Sequence, residues 1–280
     1  MVNELVKEFI RTQKVPVRGQ MDEPDRIEER FEEILREIAG KERGDLRFEA
    51  KFLTVSDIAT QYYCEKKVEM ERTYGKGETP EMKVGREAHE LLLKDTIRTK
   101  RRQILHEILS GKSVLVREML LLGKHGDIAI VGVADAVLFG LRSPLFLFEY
   151  KFSSRQVPFR DHHVQARMYC YLLHLMGWDI NRLRYALVMA PPGLADSAEL
   201  RKAPLYVLKG RGEGRTSMKI SGAKVNIYIN KFDIGQTVNE LDWAVAFWKQ
   251  QRDVVPTKKA AKCAVCEFKE SCGSAKTTGQ

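Results

Sequence analysis

A pair of apolar segments joined by a short turn constrains the fold of this chain more than any other feature. Residues 128–139 and 145–152 are rich in β-branched and aromatic side chains, and the turn between them contains Gly140 and Pro144. Two strand-like segments separated by a short glycine-containing turn are typical of a β-hairpin. We therefore expect this hairpin to lie in the central sheet of the protein.

The register of the hairpin brings two carboxylates together. When the turn is centred on Arg142, the numbers of paired residues sum to 284, and Asp135 faces Glu149. Opposed residues of an antiparallel pair have Cβ atoms roughly 4.5–5.5 Å apart, which lets two carboxylates share a divalent metal ion. Lys151 lies on the same face as Glu149, because side chains alternate along a strand. A structural Glu-Lys salt bridge is the alternative interpretation.

Strand-like and helix-like patterns surround the hairpin. Further strands are predicted at 114–122, 183–190, 204–209 and 224–233. Helices are predicted at 22–39, from Thr54 or Ser56 to about Arg72, at 81–100, at 157–176 and at 236–252. Helices before and after a mixed sheet indicate an α/β or α+β unit of the size of a nuclease.

The charge balance favours a polyanionic partner without proving one. The 280 residues contain 47 Lys and Arg against 38 Asp and Glu, which gives a formal net charge of +9. A basic surface attracts nucleic acids, but it can also serve solubility alone. Charge therefore leaves both interpretations open.

The sequence argues against a membrane protein and against an ATPase. No stretch approaches the roughly 18 apolar residues that a membrane helix needs, and no secretory signal is recognisable, so we expect a cytoplasmic protein. The basic, glycine-rich segment 209–215 lacks the G-x-x-x-x-G-K-[ST] pattern, so we expect no ATP hydrolysis. We interpret this segment as a flexible hairpin tip.

Five cysteines occur, and their odd number in a cytosolic chain argues against a disulfide framework. Cys263, Cys266 and Cys272 form the pattern C-x2-C-x5-C, which lets thiolates converge on one metal centre, as in zinc and iron-sulfur sites. Three thiolates are one ligand short of four. Cys170 is expected to be a small buried apolar residue.

Four short motifs occur in an order that is typical of one nuclease family. They are G-x3-H at 85–89, G-x-x-D at 132–135, E-x-K at 149–151 and Q-x3-Y at 165–169. This string resembles the RecB-like branch of the PD-(D/E)xK nucleases. With Cys64 and the C-terminal cysteines, it is similar to the members that carry an iron-sulfur cluster, especially the CRISPR-associated RecB-like exonucleases of the adaptation module.

The resemblance implies an α/β fold with a restriction-endonuclease-like core, in which helices flank a central mixed sheet. It further implies that the cluster joins a helical N-terminal part to the C-terminal segment. The motifs extend from about residue 52 to residue 273 and leave the first 50 residues uncovered. We therefore divide the chain into an acidic helical extension at 1–50 and a RecB-like nuclease domain at 51–280. The extension either docks a partner or pads the core.

The resemblance also implies roles for individual residues. Asp135, Glu149 and Lys151 are the expected catalytic residues. His89, Asp135, Glu149 and the backbone carbonyl of Tyr150 are the expected ligands of Mg2+ or Mn2+, which favour carboxylate oxygens. Lys151 would position the attacking water and stabilise charge on the phosphate.

Four thiolates are expected to hold the cluster. By resemblance, Cys64, Cys263, Cys266 and Cys272 bind a [4Fe-4S] cluster with a structural role. Cys64 lies 199 positions before Cys263, so the cluster would close a very long loop. Four thiolates also suit zinc, and their spacing does not separate the two centres.

Gln165 and Tyr169 are four residues apart on one predicted helix and therefore share a face. By resemblance they line the substrate groove and contact DNA, where an aromatic ring can stack on a single strand. An ordinary helix surface is the alternative interpretation.

Taken with the resemblance, these features predict a metal-dependent DNA exonuclease that acts on single-stranded or frayed ends. The resemblance implies 5′-to-3′ polarity and the processing of DNA for spacer acquisition, together with CRISPR integrase subunits. A stand-alone repair or recombination nuclease is one alternative. A catalytically silent DNA-binding scaffold is another, and it predicts DNA binding that survives Asp135→Ala.

Overall fold

A seven-stranded sheet lies at the centre of the computed structural model, which describes residues 24–77, 79–93, 99–210 and 213–276. Its strands are β1 (Leu53–Thr54), β2 (Val114–His125), β3 (Ile128–Gly140), β4 (Ser143–Phe152), β5 (Arg184–Ala190), β6 (Gly214–Ile220) and β7 (Ala223–Lys231). The helices are α1 (Pro24–Gly40), α2 (Val55–Tyr63), α3 (Glu65–Tyr74), α4 (Pro80–Leu93), α5 (Arg101–Leu109), α6 (Arg160–Leu175), α7 (Ala203–Lys209), α8 (Ile234–Trp248) and α9 (Ala260–Ala264).

The sheet is mixed, as expected. The strand order is β1-β3-β4-β5-β7-β6, and β2 pairs with β3 outside this path. The pairs β1-β3 and β4-β5 are parallel, whereas the other neighbours are antiparallel. Helix α6 connects β4 to its parallel neighbour β5, because parallel strands need a crossover connection. The predicted α/β fold with helices flanking a mixed sheet is confirmed.

The predicted register of the hairpin is also confirmed. Ala136 pairs with Phe148 and Val137 pairs with Leu147, so the paired numbers sum to 284. Nearer the turn the register shifts by one position, and residues 141–142 turn the chain with positive φ angles of 48° and 67°. Asp135 and Glu149 are the next residues along the confirmed register.

Side chains of β3 and β4 alternate between two cores. Val137 and Leu147 belong to the larger core, which also contains buried residues of α2, α6 and α8. Phe146 and Phe148 belong to the smaller core on the opposite face, which α7 covers. By this alternation Glu149 and Lys151 continue the face of Leu147 toward the larger core.

The strand predicted at 204–209 is wrong, since these residues form most of α7. Ala203, Val207 and Leu208 are buried at helical spacing against the smaller core, so tertiary packing overrides the β-branched and aromatic composition. Strand β6 was not predicted, because its outward side chains are polar. The prediction of a hairpin tip at 209–215 is wrong, because this segment runs from the last residue of α7 into β6, and residues 211–212 lie outside the described residues.

The helices predicted at 157–176 and 236–252 are confirmed by α6 and α8, whereas the helix predicted to run to about Arg72 is two helices, α2 and α3, and α5 was not predicted. Thr54 forms a capping box with Asp57 at the start of α2, and Cys64 separates α2 from α3. The segment 81–100 contains α4 and the approach to α5, while residues 94–98 lie outside the described range. None of the helices in the described residues is long and apolar enough to span a membrane.

The amphipathic helix predicted at 22–39 corresponds to α1, and its Ile27 and Phe31 are buried in the larger core. The side chain of Arg101 on α5 pairs with Glu28 at 2.9 Å, which fastens α1 to the body. Residues 1–23 lie outside the described residues. The division of the chain at residue 50 stays a prediction.

Candidate active site

The hairpin brings two predicted acids and the predicted lysine together. Nζ of Lys151 lies 2.8 Å from Oε1 of Glu149. The backbone N–H of Tyr150 donates a hydrogen bond of 2.7 Å to Oδ2 of Asp135. Residues of β4 therefore contact both carboxylates: Lys151 contacts Glu149, and the backbone of Tyr150 contacts Asp135. The metal contact expected of the Tyr150 carbonyl stays a prediction.

Helix α4 supplies the predicted histidine. Nε2 of His89 lies 2.9 Å from Oδ1 of Asp135, within ion-pair distance, and this contact raises the pKa of His89. The structure thus brings His89 to the acid pair, as the family pattern implies.

One buried carboxylate oxygen at this place, Oε2 of Glu149, lacks a hydrogen-bond partner among the described residues. Glu149 is only 1% exposed, so water does not compensate for the missing bond. An imidazole nitrogen and carboxylate oxygens with unused lone pairs are a donor set that suits Mg2+ or Mn2+. The residues present therefore fit the metal that the family implies.

The electrostatics of the site are unfavourable without a cation. Burial and the charge of Asp135 raise the pKa of Glu149 to about 7. The neighbouring Asp135 carboxylate raises the pKa of His89, although burial opposes it. Burial lowers the pKa of Lys151, but the charges of Glu149 and Asp135 more than compensate and raise it overall. A divalent cation would relieve the repulsion between the two carboxylates.

Gln165 and Tyr169 extend the site along α6. Oε1 of Gln165 accepts a hydrogen bond of 2.8 Å from Nζ of Lys151, and its Nε2 donates to the Tyr169 hydroxyl at 3.2 Å. Lys151 is therefore held by two side chains. The Tyr169 ring is only 3% exposed, so the structure places it in the core rather than on the surface. Contact of these two residues with DNA stays a prediction.

The packing of Tyr169 explains the glycine of the G-x-x-D motif. A Cβ atom on Gly132 would lie 2.6 Å from Cε1 of Tyr169 and 2.7 Å from Cγ2 of Val55. No side chain fits there without displacing the ring or the valine. Gly132 thus allows α6 to approach β3 next to Asp135.

The four cysteines predicted to hold a cluster line a single cavity. Cys64 lies at the junction of α2 and α3, and the other three lie in the segment around α9. The backbone N–H of Thr257 donates to Sγ of Cys64 at 3.3 Å. Four lysines share the cavity wall: Lys66, Lys67, Lys262 and Lys269. Thiols surrounded by ammonium groups fit an anionic four-thiolate centre, with either iron-sulfur or zinc.

Neither group forms a finished ligand sphere. In the part of the chain that the structure describes, no set of three or more His, Cys, Asp or Glu side chains is arranged so that it could hold a metal ion. The ligand roles in both groups are therefore proposals. They rest on the unpartnered Oε2 of Glu149 in one group and on the shared cavity in the other.

Asp161 is a mostly buried acid near Lys151 that the sequence did not indicate. Its carboxylate is mostly buried, its Oδ1 lacks a hydrogen bond, and its charge contributes to the raised pKa of Lys151. Nζ of Lys262, next to Cys263, lies 4.0 Å from that oxygen. The only local signal is an acid in the first turn of α6, which is common in helices.

Known proteins resemble the chain over nearly its whole length. The sequence model of the PD-(D/E)XK nuclease superfamily matches residues 4–273. Among solved structures, one described as "Crystal structure of SSO0001" aligns with a TM-score of 0.46 at 15% sequence identity, covering 89% of this chain and 96% of that chain. None of the curated proteins matches significantly. The family match spans both Asp135, Glu149 and Lys151, which we call the acid-lysine group, and the four cysteines.

Proposed function

Because the chain belongs to the PD-(D/E)XK nuclease superfamily, we propose that it is a metal-dependent DNA nuclease whose site is formed by His89, Asp135, Glu149 and Lys151. Members of this superfamily are nucleases that use divalent metals such as Mg2+ or Mn2+. One observation carries the assignment of residues: Oε2 of Glu149 is buried without a hydrogen-bond partner in a group that also contains Asp135, His89 and Lys151. Such an atom is costly in a protein interior unless a ligand satisfies it.

The residues divide the work of phosphodiester hydrolysis. Asp135, Glu149 and His89 hold the metal, which when bound supplies Lewis-acid polarisation of a phosphoryl oxygen and activation of water. The Lys151 ammonium orients the attacking water and stabilises negative charge on the phosphate. Glu149 and Gln165 hold that ammonium in place at 2.8 Å each. Because the ammonium is already held in place, less entropy is lost when the transition state forms, and the activation barrier is lower.

We further propose the finer assignment that the motif order implies. The enzyme is a RecB-like exonuclease of the cytoplasm that acts on single-stranded or frayed DNA ends, with 5′-to-3′ polarity. It trims DNA for spacer acquisition together with CRISPR integrase subunits. The support is the resemblance of the ordered motifs and of the four cysteines.

The four cysteines hold a structural [4Fe-4S] cluster in this proposal. Support comes from the single cavity that Cys64, Cys263, Cys266 and Cys272 line and from the lysines around it. The cluster would tie the junction of α2 and α3 to the C-terminal segment. Zinc in the same ligands is the alternative.

The test uses anaerobically purified protein and end-labelled single-stranded DNA, with Mn2+, Mg2+ or chelator. We expect cleavage by the wild type with metal only, and none by Asp135→Asn/Glu149→Gln, which removes charge but keeps side-chain volume. Asp127→Asn is the matched control, since its exposed carboxylate lies on the turn between β2 and β3 and pairs with Lys249. The position of the label on released products reports polarity.

A visible spectrum recorded on the same samples tests the cluster. Broad absorption near roughly 400 nm supports iron-sulfur, and a colourless protein that contains bound zinc contradicts it. Equal cleavage by the double variant would show that another site or a contaminant is responsible. Metal-independent DNA binding without cleavage by the wild type would support the scaffold alternative.

A further inference from the structure

A groove lies beside α8, and none of its lining residues belongs to the acid-lysine group. Its lining includes Gln236, Asn239 and Trp243, which recur at helical spacing on one face of α8, together with Tyr62 and Arg160. The first three and Arg160 are exposed. Aromatic rings, amides and a guanidinium therefore share one open surface.

Trp243 is unusual among the tryptophans of this chain. The protein has three, and Trp178 and Trp248 are 2% and 0% exposed, whereas Trp243 is 40% exposed. Its ring centroid lies 5.0 Å from that of Tyr62, at an interplanar angle of 50°. The guanidinium of Arg252 lies 4.0 Å from the Trp243 ring centroid. The Trp243 ring is thus contacted by Tyr62 and Arg252, and part of its surface is still open to solvent.

The groove is cationic despite an acid in its wall. The guanidinium of Arg160 lies over the Tyr62 ring at 4.9 Å, and no carboxylate of the described residues forms an ion pair with it. Glu240 also lines the groove, but Arg167 donates two hydrogen bonds to its carboxylate, at 2.7 and 2.9 Å. The buried Arg167 therefore compensates the negative charge of Glu240. Arg160 is exposed, so its positive charge is accessible to a ligand.

From this arrangement we propose that the groove of Tyr62, Arg160, Gln236, Asn239 and Trp243 binds a nucleobase of single-stranded DNA. Aromatic rings stack on bases regardless of sequence, and arginine adds cation-π and phosphate contacts. Amide side chains can bond base edges. The inference rests on the proposed nuclease function and adds a second binding point for the same strand.

The position of Arg160 links the groove to the nuclease site. Arg160 is the first residue of α6, and Gln165, which bonds Lys151, follows five residues later. Five residues span about 7.5 Å along a helix axis. The groove and the nuclease site thus share helix α6, which supplies Arg160 to one and Gln165 to the other.

The fluorescence of Trp243 provides a direct test in the wild-type protein. With metal chelated to prevent cleavage, oligo(dT) is titrated while tryptophan emission is recorded. We expect quenching, because a stacked base contacts the exposed indole while the other two tryptophans are buried. An abasic strand of equal length should not quench, since it offers phosphates without bases.

Two substitutions complete the test. Trp243→Ala should weaken oligo(dT) binding about tenfold, the loss expected for one stacked base. Trp243→Phe should bind nearly as tightly as wild type, because phenylalanine still stacks, but its remaining emission should not respond to oligo(dT). Tyr74→Ala, which removes an aromatic ring that is 69% exposed on α3 outside the groove, should bind as wild type does. Thermal melting checks that each variant is folded.

The outcomes separate this inference from the function on which it rests. Equal quenching by the abasic strand, quenching that persists in Trp243→Phe, or unchanged affinity in Trp243→Ala overturns the groove while leaving cleavage intact. Oligo(dT) that binds wild type without quenching does the same. A wild type that neither binds nor cleaves DNA overturns the nuclease proposal and the groove together.

Discussion

Glu65 and Glu149 are equally buried, each with 1% of its surface exposed, but their surroundings differ. Both carboxylate oxygens of Glu65 accept hydrogen bonds. The donors are Nε2 of Gln61 at 2.8 Å, the backbone N–H of Val255 at 2.6 Å, and the guanidinium of Arg252, whose two terminal nitrogens each bond one oxygen. This carboxylate is fully satisfied by the fold.

Glu149 has a partner on only one of its two carboxylate oxygens. Lys151 contacts Oε1 at 2.8 Å, and Oε2 has no partner. The difference teaches that burial of a charge does not by itself mark a functional site. The unpaired Oε2 of Glu149, in a carboxylate whose pKa is raised by burial and by Asp135, is the stronger indication, because an unpaired buried polar atom costs free energy. We therefore expect Glu65 to serve stability and Glu149 to serve catalysis.

The largest expected effect is the loss of activity in Glu149→Gln. Removing the charge removes a metal ligand, so the rate of metal-dependent DNA cleavage should fall about 10³-fold or more. Gel analysis of end-labelled single strands in saturating Mn2+ measures the rate. Glu65→Gln is the control of equal burial and should retain the wild-type rate per folded molecule. An equal loss of cleavage rate in Glu149→Gln and Glu65→Gln would contradict the different roles assigned to the two glutamates.

Glu65→Gln should lower the stability of the protein, although it leaves the cleavage rate unchanged. The substitution leaves the Arg252 guanidinium without its ionic partner in a mostly buried place, so the free energy of unfolding should fall by about 3 kcal/mol. Anaerobic denaturant unfolding measures this change. Glu270→Gln, with a side chain that is 93% exposed, should change stability by less than about 0.5 kcal/mol. A Glu65→Gln protein as stable as wild type would break the comparison.

The pH dependence of the metal-free protein should identify Glu149 as a destabilising group. Its pKa is raised to about 7 by burial, so between the ordinary value of 4.5 and 7 the folded state binds more protons than the unfolded state. Stability should therefore decrease as the pH rises through this window, by about 3 kcal/mol.

Thermal melting in chelator from pH 5 to pH 8 measures this loss, and Glu149→Gln should flatten the curve and melt higher at pH 8. Addition of Mg2+ at pH 8 should raise the melting temperature of the wild type to its value at pH 5. A wild-type curve parallel to that of Glu149→Gln would contradict the assignment.

The smallest expected effect concerns the support of Lys151. Gln165→Ala removes one of the two side chains that hold its ammonium, while Glu149 remains. The cleavage rate should fall about tenfold, with little change in metal affinity. Steady-state kinetics at several Mn2+ concentrations separate the two quantities. Gln165→Glu should preserve the contact with the ammonium and lose less activity than the alanine variant.

Much of the candidate site was predictable because it depends on local periodicity. The alternation of side chains along two strands was enough to set Asp135 opposite Glu149 and to add Lys151 on the same face. Pairing at Ala136 and Val137 confirms that register. The histidine was found only through the family pattern, since a lone histidine on a helix carries no such information.

Other features escaped prediction because local patterns are ambiguous. Residues 204–209 have the composition of a strand, but α7 forms there because its buried face packs at helical spacing against the smaller core. Strand β6 exists through its pairing with β7 rather than through its own sequence, which is largely polar. Short segments of this kind are decided by their neighbours.

The sequence by itself determined the hairpin, its register, the amphipathic helices and the spacing of the C-terminal cysteines, because each depends on residues close together in the chain. Only the tertiary structure decided that Glu65 is satisfied while Glu149 is not, since Arg252 and Val255 reach Glu65 from 187 and 190 positions away. It likewise decided that Cys64 shares a cavity with the C-terminal cysteines. Whether a buried atom finds a partner depends on which distant segments pack against it, and no local pattern encodes that.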